Sequence, residues 1–162
     1  MKRPIKIRER PWLKPDVISY IDSLIGIDSE VLEAGAGGST FWFAARVRRV
    51  ISYENNRDWH ETMNAKIIKD GFKNIELIFD KKYPKEGIKR PGESFDLIFI
   101  DGRGRVKTMK TVYQLLKPDG HLVLDDSTRR RYRSGINFLN GIGWKRVAEF
   151  SGDEGTLVWR KP

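Results

Sequence analysis

Short apolar runs alternate along this chain with stretches in which apolar residues recur every three or four positions. The runs fit buried strands, and the wider spacing fits helices packed by one face. Pro15 and Asp16 open a predicted helix through about Ile25, with Val17, Ile18, Ile21 and Leu24 on one stripe. "EVLEA" (30–34) is a first strand, "GSTFWFAARV" (38–47) a helix and "RVISYE" (49–54) a second strand. "NRDWHETMNAKIIKDG" (56–71) is a helix closed by Gly71, and "NIELIFD" (74–80) a third strand. The Pro-, Gly- and Lys-rich "KKYPKEGIKRPGE" (81–93) reads as a loop that replaces or shortens the next crossover helix. "SFDLIFID" (94–101) is a fourth strand, followed by a helix over 105–120 ended by Pro118 and Gly120. "HLVLDD" (121–126) is a fifth strand, 129–143 a basic helix, and 144–150 and 156–160 two last strands. The short "SGDEG" between those two makes them an antiparallel hairpin. Strands joined by crossover helices predict an α/β fold built on a largely parallel sheet.

The 162 residues suit one domain, 1–162, with a basic N-terminal segment over 1–14. That segment alternates charge with proline and has no apolar signal core, so neither export nor a membrane span is expected, and a cytoplasmic location is the simplest inference. The chain has no cysteine, which excludes disulfides, thiolate metal sites and cysteine nucleophiles. A formal net charge of +9 favours an anionic partner, nucleic acid included, or serves solubility alone.

The turn after the first strand, "VLEAGAGGST" (31–40), carries the first chemical signal. A phosphate-cradling loop needs Gly-Lys-Ser/Thr, and here Gly38-Ser39-Thr40 lacks the lysine. The dinucleotide fingerprint needs a third glycine where Thr40 stands. Glu33 would also face a doubly anionic pyrophosphate at short range. S-adenosylmethionine reverses that logic: its ammonium and sulfonium favour an acid, and its carboxylate suits the start of the next helix. Glu54, at the end of the second strand about 20 residues on, is placed to accept both hydroxyls of an adenosine ribose.

Together "VLEAGAGGST", "VISYEN", "FDLIFIDG" and "LLKPDGHLVLDD" resemble the Rossmann-like S-adenosylmethionine-dependent methyltransferases, most closely their small stand-alone members. The resemblance spans nearly the whole chain. It implies a doubly wound sheet of about seven strands with the last antiparallel, helices on both faces, and a cofactor across the ends of strands one, two and four. By the same resemblance Glu33, Gly35, Gly37 and Gly38 surround the methionine part and Ser39 and Thr40 its carboxylate. Glu54 holds the ribose, Asn55 borders the adenine, Asp80 receives its amino group and Asp101 joins the cofactor site.

Asp101 ends the fourth strand and Asp125 with Asp126 the fifth, so three carboxylates converge where an open sheet binds its ligand. Such a set suits magnesium or another divalent cation; alternatively Asp126 caps a helix and Asp101 a turn. "FIDG" with "VLDDS" is similar to the metal site of catechol-type O-methyltransferases, although Gly104 stands where those enzymes carry a basic lysine. Asp101 and Asp125 are the candidate catalytic residues, and His60 and His121 are not. Arg103, Arg105, Arg129, Arg130, Arg131 and Arg133 cluster at the same rim and suggest a phosphate- or carboxylate-bearing acceptor. Trp42, Phe41 and Phe43 read as core packing, and Trp12 as a residue able to fold over the cofactor. The expected activity is O-methylation of an anionic or hydroxylated small molecule. RNA or protein methylation, or a non-catalytic cofactor-binding module, are the alternatives. Base-amine methylation lacks its Asn/Asp-Pro-Pro-aromatic turn at "IDGRGR", and cytosine C5 methylation its cysteine.

Overall fold

The computed structural model describes residues 7–90, 92 and 94–162. Seven strands form one sheet: β1 (Glu30–Ala34), β2 (Arg49–Glu54), β3 (Ile75–Phe79), β4 (Phe95–Ile100), β5 (Leu116–Asp125), β6 (Lys145–Phe150) and β7 (Thr156–Arg160). Their order is β3-β2-β1-β4-β5-β7-β6. The first five are parallel, and β7 enters antiparallel between β5 and β6. The helices are α1 (Pro15–Ser23), α2 (Gly38–Ala44), α3 (Arg57–Asp70), α4 (Tyr83–Glu86), α5 (Arg105–Val112) and α6 (Arg133–Gly141). Chain order reverses between β1 and β4, and there the crossovers leave the sheet in opposite directions and open a crevice at its carboxyl edge.

Side chains alternate between faces along each strand, which sorts the core into two layers. Val31, Val50, Leu97, Phe99, Val123 and Val158 pack under α1 and α2 with Val17, Ile21, Trp42 and Phe43. Phe41 packs with Met63 and Ile67 of α3. Leu32, Ile51, Ile98, Ile100, Leu122 and Trp159 face the other way, against Tyr83, Met109, Val112 and Leu139 of α4 to α6. Phe41, Trp42 and Phe43 are therefore core residues, buried as their pattern indicates.

Three sequence expectations change. The segment 81–93 is not wholly loop, because Pro84 at the first turn and the Asp80 carboxylate, which accepts from the Lys82 and Tyr83 amides, start the one-turn helix α4. The helix expected over 105–120 stops at Val112, passes through a 3-10 turn at Tyr113–Leu115 and gives way to β5. Pro118 does not block that strand: the ladder jumps from Phe95–Leu116 to Leu97–His121, so Pro118–Gly120 bulges out and proline's missing N–H costs no ladder bond. The basic helix over 129–143 divides into a 3-10 turn at Arg130–Tyr132 and then α6. Among the described residues no helix is long and apolar enough to cross a membrane.

Candidate active site

Glu33 and Ser52 are register partners on β1 and β2, and their side chains point to the same face beneath the start of α2. The Glu33 carboxylate accepts hydrogen bonds from Ser52 Oγ at 2.6 Å, Thr40 Oγ1 at 2.5 Å and Ser39 Oγ. Thr40 Oγ1 in turn accepts from the Gly37 amide at 3.0 Å, which fixes the glycine turn to the helix it begins. Glu33 is fully buried, and this desolvation pushes its carboxyl up to about 7, against the lowering effect of the three hydroxyls.

A titration follows from this burial. The folded state holds the Glu33 proton more tightly than the unfolded chain, so stability is greatest below about pH 4.5 and falls as pH rises to about 7. Relative to Glu33→Gln, the wild type should lose about 3 kcal/mol of unfolding free energy between pH 4.5 and pH 8. Parallel denaturant curves for the two proteins would refute this assignment.

Beside the turn, at the carboxyl ends of β1, β2 and β4, lies a cleft of about 1250 Å³. Gly35 and Ala36 form its floor, Glu54, Asn55 and Asn56 one wall, and Asp101 to Val106 the other. The amides of Asn55 and Asn56 both donate to Glu54 Oε1, at 2.8 and 2.7 Å, so Oε2 is the oxygen available to a ligand. Gly35 has φ +101°, and a Cβ there would stand 2.5 Å from the Gly102 Cα. The floor thus needs glycine both for its backbone conformation and for its closeness to the end of β4.

Gly37, Gly38, Ser39, Thr40 and Glu33 are absent from the cleft lining, and so is Asp80, which starts α4. A side chain at Gly38 would strike the carbonyl oxygens of Arg8 and Arg10, because the N-terminal segment crosses the turn there. Trp12 does not fold over the cleft. It is 83% exposed and borders a small separate hollow with Asp125 and Thr156. His60 stacks edge-on against Phe79, and His121 sits in the middle of β5, paired with Leu97 and Arg160 and outside the cleft lining.

Asp101, Asp125 and Asp126 do come together, with carboxylate oxygens within 4.8 Å of one another. A guanidinium joins them. Arg105, 6% exposed, donates from Nη2 to Asp101 Oδ1 and Asp126 Oδ2, each at 3.1 Å, and from Nη1 to the Asp125 carbonyl at 2.5 Å. Arg129 adds a second cation on Asp126 Oδ2 at 2.8 Å, and Thr156 donates to Asp125 Oδ1 at 3.2 Å. A divalent ion here would sit against a fixed positive charge, so the donor set gives the expected magnesium or other divalent cation no support. Enclosure by the strand ends pushes the Asp101 carboxyl up to about 7, with the neighbouring Asp125 charge adding to the rise, although 38% of its side chain still meets the cleft. Burial raises Asp125 as well.

Sequence reasoning missed three cleft residues of note. Tyr83, in the supposed loop, lines the cleft with a buried hydroxyl that has no hydrogen-bond partner. Lys107 and Lys110 line it from α5, three positions apart on one face, a spacing legible in the sequence once Arg105 is placed at the helix start.

Cleft, switch point and sheet order are together those of a Rossmann-like fold that binds its ligand at the carboxyl edge of the sheet. The sequence profile of a family described as a methyltransferase domain matches residues 32–127, and the chain belongs to that family. No significant match to a curated protein was found. Among solved structures, the chain is similar to a precorrin 8w decarboxylase of Methanobacterium thermoautotrophicum, with TM-score 0.73, 19% identity, and coverage of 94% of this chain and 93% of that one. It is also similar to an S-adenosylmethionine-dependent O-methyltransferase of Thermotoga maritima, with TM-score 0.75, 13% identity, and coverage of 94% and 67%. A Streptococcus mutans protein in complex with S-adenosylhomocysteine gives TM-score 0.73 at 13% identity, with coverage of 94% and 100%. At these identities the likeness is one of fold.

Proposed function

We propose that the protein methylates a hydroxyl of an anionic small molecule without a metal ion, with Asp101 taking the proton. The observation that carries this reading is that Asp101 and the unshared oxygen of Glu54 border one cleft. Residues of that cleft fit the cofactor: Glu54 Oε2 toward the ribose hydroxyls, Asn55 beside the adenine, and Gly35 and Ala36 under the methionine part. Gly37, just outside the cleft lining, has open space where its Cβ would be, which leaves room for close approach of the ligand. S-adenosylmethionine, when bound, supplies a methyl carbon activated by sulfonium.

The chain's part is to orient the acceptor hydroxyl and to take its proton as the oxygen gains the methyl group. Asp101, with its carboxyl at about 7, is largely ionised at pH 8 and still basic enough to accept a proton. Arg105 positions it by holding the ends of both strands, through the Asp101 and Asp125 carbonyls.

The test is a tritiated-methyl assay over pooled small molecules, RNA and protein, with calorimetry of S-adenosylhomocysteine and NAD. S-adenosylhomocysteine should bind, NAD should not, and Glu54→Ala should weaken binding at least about tenfold. Turnover should survive EDTA, rise with pH through about 7 in the wild type, and fall with a flattened profile in Asp101→Asn. Loss of turnover in EDTA would overturn the metal-free reading. RNA as the labelled acceptor would overturn the small-molecule one.

A further inference from the structure

The cleft is electrically divided. Glu54 with its two asparagines occupies the β2 side, whereas Arg103, Lys107, Lys110 and Arg131 line the α5 side. Among the described residues none of these four has an ion-pair partner; Arg131 stacks on Tyr132 with its guanidinium 5.0 Å from the ring centre, and Lys110 sits 5.9 Å from that of Phe138. The cations nearest the acids are already engaged: Arg105 and Arg129 belong to the carboxylate cluster and neutralise it, not the cleft. The α5 helix adds to the same side. Its N-cap is Gly104, with φ 69° and no side-chain cap, so the first amides of the helix are left to solvent or ligand at the cleft wall.

Four unpaired like charges and a helix N-terminus around one concavity repel each other until something anionic enters. The cofactor accounts for little of this, since it carries one carboxylate against an ammonium and a sulfonium. Lys107 and Lys110 are one turn apart, and Arg131 reaches in from a different segment. All four are exposed, but they line one concavity from separate segments, which favours a compact ligand over an extended strand.

Building on the methyltransferase reading, we infer that the acceptor carries at least two anionic groups, phosphoryl or carboxyl, held by Arg103, Lys107, Lys110, Arg131 and the start of α5. The hydroxyl to be methylated then lies between this wall and Asp101. One monoanionic group would leave most of the wall uncompensated.

The experiment titrates the full-length protein, saturated with S-adenosylhomocysteine, with pyrophosphate, tricarballylate, phosphate and acetate, and with a short uridine oligonucleotide. Pyrophosphate or tricarballylate should bind at least about tenfold more tightly than phosphate or acetate, and the better of the two identifies the phosphoryl or carboxyl source. Lys107→Gln, Lys110→Gln and Arg131→Gln combined should abolish that preference and leave S-adenosylhomocysteine affinity within about twofold. An unchanged preference in the triple variant, or none in the wild type, overturns the inference. Tighter binding of the oligonucleotide, lost in the same variant, overturns the compact acceptor in favour of nucleic acid. Failure of S-adenosylhomocysteine itself to bind would overturn the methyltransferase reading and is seen before any anion is added.

Discussion

Arg105→Met should lower the unfolding free energy by about 3–5 kcal/mol at pH 8, the cost of leaving buried carboxylates without their counter-charge. Arg105 makes bonds to Asp101, Asp126 and the Asp125 carbonyl from a buried position, and it also donates to the Gly102 carbonyl at 3.0 Å. The loss should shrink at pH 5, where the acid pair takes up protons and the repulsion falls. Methionine fills the volume, so a cavity does not account for the change. The same variant should gain a property that the wild type lacks. With the guanidinium removed, three carboxylates within 4.8 Å of one another are open to a hard cation, and manganese binding should appear by paramagnetic resonance. Manganese bound equally well by the wild type would show that Arg105 does not hold the cation position.

Two glycines two residues apart should fail in different ways. Gly35→Ala should destabilise the apo protein by several kcal/mol, because it combines a φ of +101° with a Cβ lodged in the Gly102 backbone. Gly37→Ala should leave the melting temperature within about 2 °C, since its φ of −171° is ordinary extended backbone and the space beside it is open. Its effect should appear only on the cofactor, with S-adenosylhomocysteine weakened at least about tenfold. Gly37→Asp should be weaker still, through repulsion of the cofactor carboxylate. Melting curves with and without S-adenosylhomocysteine separate the two cases. Equal destabilisation by both alanines would remove Gly37 from the cofactor site.

The sheet was legible because its central strands β1, β2 and β4 are buried on both faces, and continuous apolar runs such as "FDLIFI" have few other uses. The places where the reading failed are those where short-range signals conflict with tertiary pairing. Pro118 and Gly120 mark a helix end in sequence, but pairing of Leu116 with Phe95 draws the chain into the sheet before them and turns the pair into a bulge. In "KKYPKEG" the lysines mask a turn whose purpose is to bury Tyr83 against the end of β4. The site was read at the level of which strand ends meet, and the convergence of Asp101, Asp125 and Asp126 follows from that alone. What fills the space between them does not. Arg105 looked like one of several rim arginines, and only the path of the chain through Gly104 turns it inward where its neighbours Arg103 and Lys107 remain in the cleft.

The insertion of β7 between β5 and β6 has a bearing on how the chain folds. Among the described residues β6 pairs with β7 alone, and β5 has no other neighbour on that side. The five parallel strands and their helices can assemble while residues 145–150 remain an unpaired segment, and the sheet closes only when residues 156–160 slide into the gap. Until that moment the edge amides of β5 are open to any passing strand, which makes this the stage of folding most exposed to aggregation.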